Sequence, residues 1–101
     1  MINYTGILRV RKGTRQEFFD KLKECGIIDI FRAQKGNVFY EVAASSDDPD
    51  KVIVTDGWED EEAFAGHNAS PELDDIWRPV SRAYVEEKTA FHLITWSDYD
   101  K

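Results

Sequence analysis

Residues 47–67 read DDPDKVIVTDGWEDEEAFAGH, and the way this stretch divides decides the fold. Its first residues close the run SSDDPDK, a polar, proline-bearing turn. VIVTDGW follows, β-branched at its start and ending on Trp58, which predicts a strand. The acids after the tryptophan invite reading as a metal site. Their spacing favours a helix start instead: Asp60 is a good N-cap, and Glu61 and Glu62 fall in the first turn, where negative charge complements the helix dipole. Adjacent helical carboxylates diverge and cannot close on one ion, and a calcium loop would alternate its acids around a central glycine. Phe64 and His67 then share a helical face with Ala63.

Working outward, KGNVFYEVAA predicts a strand that pairs antiparallel with VIVTDGW across the turn. It would place Val38, Tyr40 and Val42 on one face and Phe39, Glu41 and Ala43 on the other. Ile2, Tyr4, Leu8 and Val10 fall at even spacing and predict a first strand, stopped by Arg11-Lys12-Gly13. Thr14 and Glu17 have the spacing of a capping box, and Phe18, Phe19, Leu22 and Cys25 form the stripe of the helix that follows. Gly26 stops or bends that helix, and IIDIF predicts a helical continuation to about Ala33. Ser70 and Pro71 predict a later helix start with Leu73, Ile76, Trp77, Val80 and Tyr84 inward, bent or interrupted at Pro79. KTAFHLITW predicts the last strand, followed by a polar tail. The order is βαββαβ, an α+β fold in a single domain over 1–101. Apolar groups on both faces of the strands predict that neither face of the sheet is open to water.

The chain of 101 residues has room for one core, burying roughly two thirds of its unfolded surface. A net charge of −7 argues against nucleic acid and anionic membranes as natural partners, which such a surface repels, and otherwise serves solubility. One cysteine, Cys25, excludes an internal disulfide and a cysteine-rich metal site, and its place on an apolar stripe makes it a core residue. MINYTGILRV lacks a basic leader and a cleavage site, and no run reaches the length of a membrane span, so a soluble cytoplasmic protein is expected. P-loop, GxGxxG, GxSxG and HExxH motifs are all missing from the sequence.

The KG turn, GNVFYEV, the 47–67 stretch and ASPEL, taken in order, resemble the antibiotic biosynthesis monooxygenase family across nearly the whole chain. The resemblance implies a ferredoxin-like fold with helices on one face of a four-stranded sheet. It also implies a homodimer whose sheets pack into an α+β barrel, with a cavity in each protomer between sheet and helices. The family holds cofactor-independent oxygenases of quinols and polyketide phenols, haem-degrading enzymes, an isomerase of a phosphorylated sugar, and members without an assigned substrate. Haem degraders use an asparagine and a histidine where this chain has Gly6 and Trp77, so an axial haem ligand is missing. The polyketide phenol oxidisers use an asparagine and a tyrosine where this chain has Val54 and Phe64.

The expectation is therefore a monooxygenase of a small aromatic quinol or phenol, acting with O2 and without flavin, haem or metal. The alternatives are a phosphosugar isomerase and a non-catalytic binding protein. Trp58 stands where several oxygenases keep a cavity tryptophan, and its indole N–H could donate to a substrate oxyanion or simply pack in the core. His67 is the candidate base, or else a helix-end cap. Glu41, Phe64, Trp77 and Arg78 are the candidates for substrate contact. Glu41 matches the family's strand glutamate, and Arg78 is one of four cations, with Arg32, Lys35 and Arg82, that could hold an anion or be solvated surface charge. His92 is expected to be structural.

Overall fold

A computed structural model describes the backbone of residues 1–93 and the side chains through Lys88. The elements are β1 (Ile2–Val10), α1 (Arg15–Cys25), α2 (Ile27–Arg32), β2 (Asn37–Ala44), β3 (Lys51–Trp58), α3 (Glu61–Asn68), a π-helical turn (Leu73–Trp77), α4 (Arg78–Tyr84) and β4 (Val85–Leu93). The strands form one antiparallel sheet in the order β2-β3-β1-β4, the ferredoxin-like arrangement. β4 starts at Val85 rather than Lys88; the expected strand end and polar tail, and the His92 side chain, lie outside the described residues.

Alternation along the strands decides what faces the helices. Ile2, Leu8 and Val10 of β1, Val52, Val54 and Trp58 of β3, and Tyr40 of β2 are buried with Phe18, Leu22, Ile27 and Phe31 of α1 and α2. Each such side chain contributes about 1.5–3 kcal/mol by leaving water. α2 packs on β2, α3 on β3, and α4 on both α1 and β4. Val38 departs from its expected face: the β2–β3 register shifts between Asn37 and Phe39, and Val38 is left 51% exposed at that bulge.

Three helix ends differ in detail from the sequence reading. Thr14 does not close a capping box; its hydroxyl donates to the Arg11 carbonyl, and Glu17 instead accepts from the Tyr84 hydroxyl at 2.5 Å. A long-range partner thus displaces the local one. Gly26, left-handed at φ 68°, ends α1 and opens α2. The Ser70 hydroxyl donates back to the His67 carbonyl at 2.7 Å, finishing α3 rather than capping the next helix.

Pro79 is accommodated by the π turn ahead of it. In an unbroken α-helix its nitrogen would face the Asp75 carbonyl with no proton to give. Over Leu73–Trp77 the helix widens, the Arg78 N–H donates five residues back to Leu73, and Pro79 falls in the first turn of α4, where no donor is needed.

The sheet face away from the helices carries Asn3, Thr5, Thr55, Ile7, Ile53 and Phe39. Thr5 and Thr55 share a hydrogen bond of 3.1 Å, and the Asn3 amide donates to Thr55 Oγ1 at 3.2 Å and to the Asp56 carbonyl at 3.1 Å. Ile7 pairs across from Ile53, both half-buried.

Candidate functional site: an acid and a histidine at the floor of an aromatic cavity

α3 is set in place from both ends. The Asp60 carboxylate accepts from the Ala63 N–H at 2.8 Å, so the acids do open a helix, as their spacing requires. The preceding Glu59 N–H donates to the Gly36 carbonyl at 2.8 Å. Gly36 has φ 80°, and a Cβ there would lie 2.3 Å from the Ala63 Cβ, so only glycine lets this loop approach the helix.

The approach positions Gln34. Its Oε1 lies 2.7 Å from His67 Nδ1, which therefore carries the proton in the neutral ring and leaves the Nε2 lone pair without a partner among the described residues. The imidazole, 5% exposed, is stacked on Trp58 at 4.6 Å and 24°, with Phe31 edge-on at 4.6 Å and Tyr40 at 5.7 Å. Burial lowers its pKa from 6.5 to about 4, so it is neutral at physiological pH.

The second titratable group is Asp56, which the sequence reading did not single out. Strand register puts it between Tyr40 and Tyr4, forming a Tyr-Asp-Tyr row across the sheet. It is 1% exposed and makes no salt bridge among the described residues. Burial raises its pKa from 3.8 to about 6, against the opposing effects of a bond from Trp58 and the charge of Lys88. Burial, with the nearby Asp56 charge, also pushes the Tyr40 hydroxyl well above its usual range. The clue in the sequence was periodicity: Val52, Val54, Asp56 and Trp58 share one strand face, and an acid on an apolar face needs a reason.

Asp56 and His67 both line one cavity of about 280 Å³ between sheet and helices, near the small end of ligand pockets. Tyr4, Tyr40, Phe64 and Trp77 supply its rings, and Gly6 lines it without a side chain. Phe64 sits 6.1 Å from Tyr4, and Trp77 braces against Phe18 and Phe31. Arg78 is also at the cavity, with Nε held by Asp74 at 2.6 Å.

Two expected site residues lie elsewhere. Trp58 is fully buried and does not line the cavity; its indole N–H donates to Asp56 Oδ2 at 2.6 Å. The donor expected for a substrate oxyanion is thus directed at a carboxylate, while the ring supports His67. Glu41 points the other way because its neighbour Tyr40 points in; it is exposed and bonded to Arg32 at 3.0 Å. Among the described residues no three His, Cys, Asp or Glu side chains gather where a metal could be held, and no helix is long and apolar enough to cross a membrane.

The family model for antibiotic biosynthesis monooxygenases matches residues 1–78. The chain belongs to that family. Its fold is shared with solved structures from two proteins that carry the family's name. One is from Deinococcus radiodurans, with TM-score 0.84, 17% identity, and coverage of 100% of this chain and 98% of that one. The other is from Nitrosomonas europaea, with TM-score 0.82, 14% identity, and coverage of 96% and 100%. SnoaB, a cofactor-independent oxygenase from Streptomyces nogalater, matches at TM-score 0.80 and 16% identity over 99% of this chain and 97% of its own. At such identities the likeness is one of fold. No curated protein sequence matches the chain.

Proposed function

We propose that this family member is a cofactor-independent monooxygenase that oxidises a small phenol or quinol with O2. The observation that carries the reading is the pairing of an ionisable Asp56 with a neutral His67 at the floor of an aromatic-walled cavity, both supported by Trp58. Rings on the walls suit a flat aromatic substrate better than the hydroxyls of a sugar phosphate.

In this reaction the substrate is the reductant. Asp56 takes the phenolic proton, and the phenolate, far easier to oxidise than the phenol, adds O2 at an unsubstituted ring carbon. Asp56 returns its proton to the peroxide. His67 Nε2 then takes the C–H proton as the O–O bond breaks, and passes it to the departing hydroxide. One oxygen atom remains on carbon as a quinone carbonyl and the other leaves as water, with both hydrogens from the substrate. The chain contributes proton transfer, orientation and a dry cavity. Trp58 acts as a positioning residue: its N–H fixes the Asp56 carboxylate, and its ring fixes the imidazole plane.

The test is oxygen uptake over a panel of naphthalene and anthracene phenols. Asp56→Asn and His67→Ala should each lower kcat by about a hundred- to ten-thousand-fold, the usual loss for a general base. Uptake that is unchanged in both variants would refute the assignment. Tight stoichiometric binding with no uptake by the wild type would make the protein a carrier.

A further inference from the structure

The floor of the cavity carries proton acceptors; its mouth carries positive charge. Arg78 and Arg82 lie one turn apart on α4, on the face that meets the cavity, and Lys88 enters from β4. Among the described residues, these three cations, with Asp56 as the only acid, line a cavity in a chain with 20 acidic and 13 basic residues. The local balance is the reverse of the global one.

Two of the cations are without a carboxylate in salt-bridge contact among the described residues, although Lys88 lies over the Tyr4 ring and its charge acts on Asp56. Arg78 is held by Asp74, but Arg82 makes no hydrogen bond or ion pair among the described residues. Lys88 has its ammonium 5.6 Å from the centroid of the Tyr4 ring and no carboxylate in salt-bridge contact among the described residues. Its stem crosses Gly6: a Cβ on Gly6 would lie 4.0 Å from Lys88 Cε and 3.6 Å from Tyr4 Cε1. These are ordinary contacts, so packing does not require glycine there; its missing side chain leaves room on the cavity floor.

We propose that the substrate is an aromatic anion, its carboxylate or similar group held at the mouth by Arg82 and Lys88 while its ring lies over Gly6 between Tyr4, Phe64 and Trp77. The proposal rests on reading this cavity as the phenol-oxidising site and narrows its substrate class. Arg82 offers a planar fork for a carboxylate, and Lys88 a mobile point charge. Around them, a net charge of −7 repels anions in general, so a cationic mouth focuses those that fit. Placing the anionic group outward also keeps it away from Asp56 and leaves the opposite end of the ring for proton transfer.

Calorimetry with 2-naphthoate and 2-naphthamide tests this. The two have nearly the same shape, differ in charge, and carry no hydroxyl to oxidise. At low salt the carboxylate should bind at least about tenfold tighter, and its advantage should fall below about threefold in Arg82→Gln/Lys88→Gln, both exposed positions. Gly6→Ala should weaken both probes alike by filling the floor. Equal or reversed affinities, no binding of either at millimolar concentration, or a preference that survives the double variant would overturn the proposal. An inert Gly6→Ala would overturn the seating of the ring. Because neither probe turns over, these outcomes are independent of the oxygen-uptake test, and each reading can fail alone.

Discussion

Asp56→Asn should make the protein more stable at neutral pH, in a way that depends on pH with a sign fixed by the site. In the folded protein Asp56 titrates at about 6 against an ordinary 3.8, so the native state holds this proton more tightly than the unfolded chain. The stability it contributes is fully present below 3.8 and is lost as pH rises through about 6. At ~1.4 kcal/mol per pKa unit the loss is about 3 kcal/mol. His67 runs the opposite way. Its folded value of about 4 lies below 6.5, so its contribution is present above 6.5 and lost as pH falls through about 4, again by about 3 kcal/mol. In the wild type the two nearly cancel between pH 4 and pH 6.5. Removing one exposes the other. Urea melts at pH 4 and pH 7 measure this, because the surface carboxylates common to both proteins drop out of the difference. The stability of Asp56→Asn minus that of wild type should rise by about 2.5 kcal/mol between those pH values, part of the loss having already occurred by pH 4. For His67→Gln the same difference should fall by about as much. A difference for Asp56→Asn that stays within about 1 kcal/mol, or falls with pH, would mean that the carboxyl is not held in a dry site.

Trp58→Phe keeps most of the ring but removes the N–H that favours the Asp56 carboxylate; the midpoint of the pH–rate profile should move upward and kcat should fall without unfolding, as read by kinetics beside a thermal melt. Gln34→Glu puts a carboxylate against His67 Nδ1–H and should raise the imidazole pKa, so activity falls at pH 5–6 and is nearly unchanged at pH 8; a flat profile would detach Gln34 from the reaction. Gly36→Ala combines a left-handed backbone with a 2.3 Å clash against Ala63, and should cost at least ~2 kcal/mol in urea unfolding. Among the described residues, the sheet face carrying Ile7, Ile53 and Phe39 has no helix layer, and a second copy of the chain is its expected cover; light scattering at micromolar concentration should give twice the mass of one chain, and a monomer would refute this.

The elements were legible in the sequence because each is written in local chemistry. The SSDDPDK turn, the even spacing of Val52, Val54 and Trp58, the Asp60 cap and the Pro79 interruption all act over a few residues, and all have their expected consequences. The local readings that fail, at Thr14 and Ser70, do so where a partner outside the motif takes the hydroxyl or the acid. Phe64, Trp77 and Arg78, candidates for substrate contact, and His67, the candidate base, all lie at the cavity, Arg78 as an exposed side chain.

What the sequence could not determine was which groups share a space. Asp56 and Gln34 are ordinary polar residues until the β2-β3-β1 register sets the acid between two tyrosines and the left-handed turn at Gly36 carries the amide to His67. Trp58 and Glu41 were placed by resemblance, and tertiary structure redirected both: strand alternation turned Glu41 out toward Arg32, and burial gave the indole N–H a partner two residues away. Composition, periodicity and turn residues determine secondary structure and topology because they act along the chain. Desolvation, tautomer choice and the union of Asp56 with His67 are set across it, at sequence separations only the folded sheet can close.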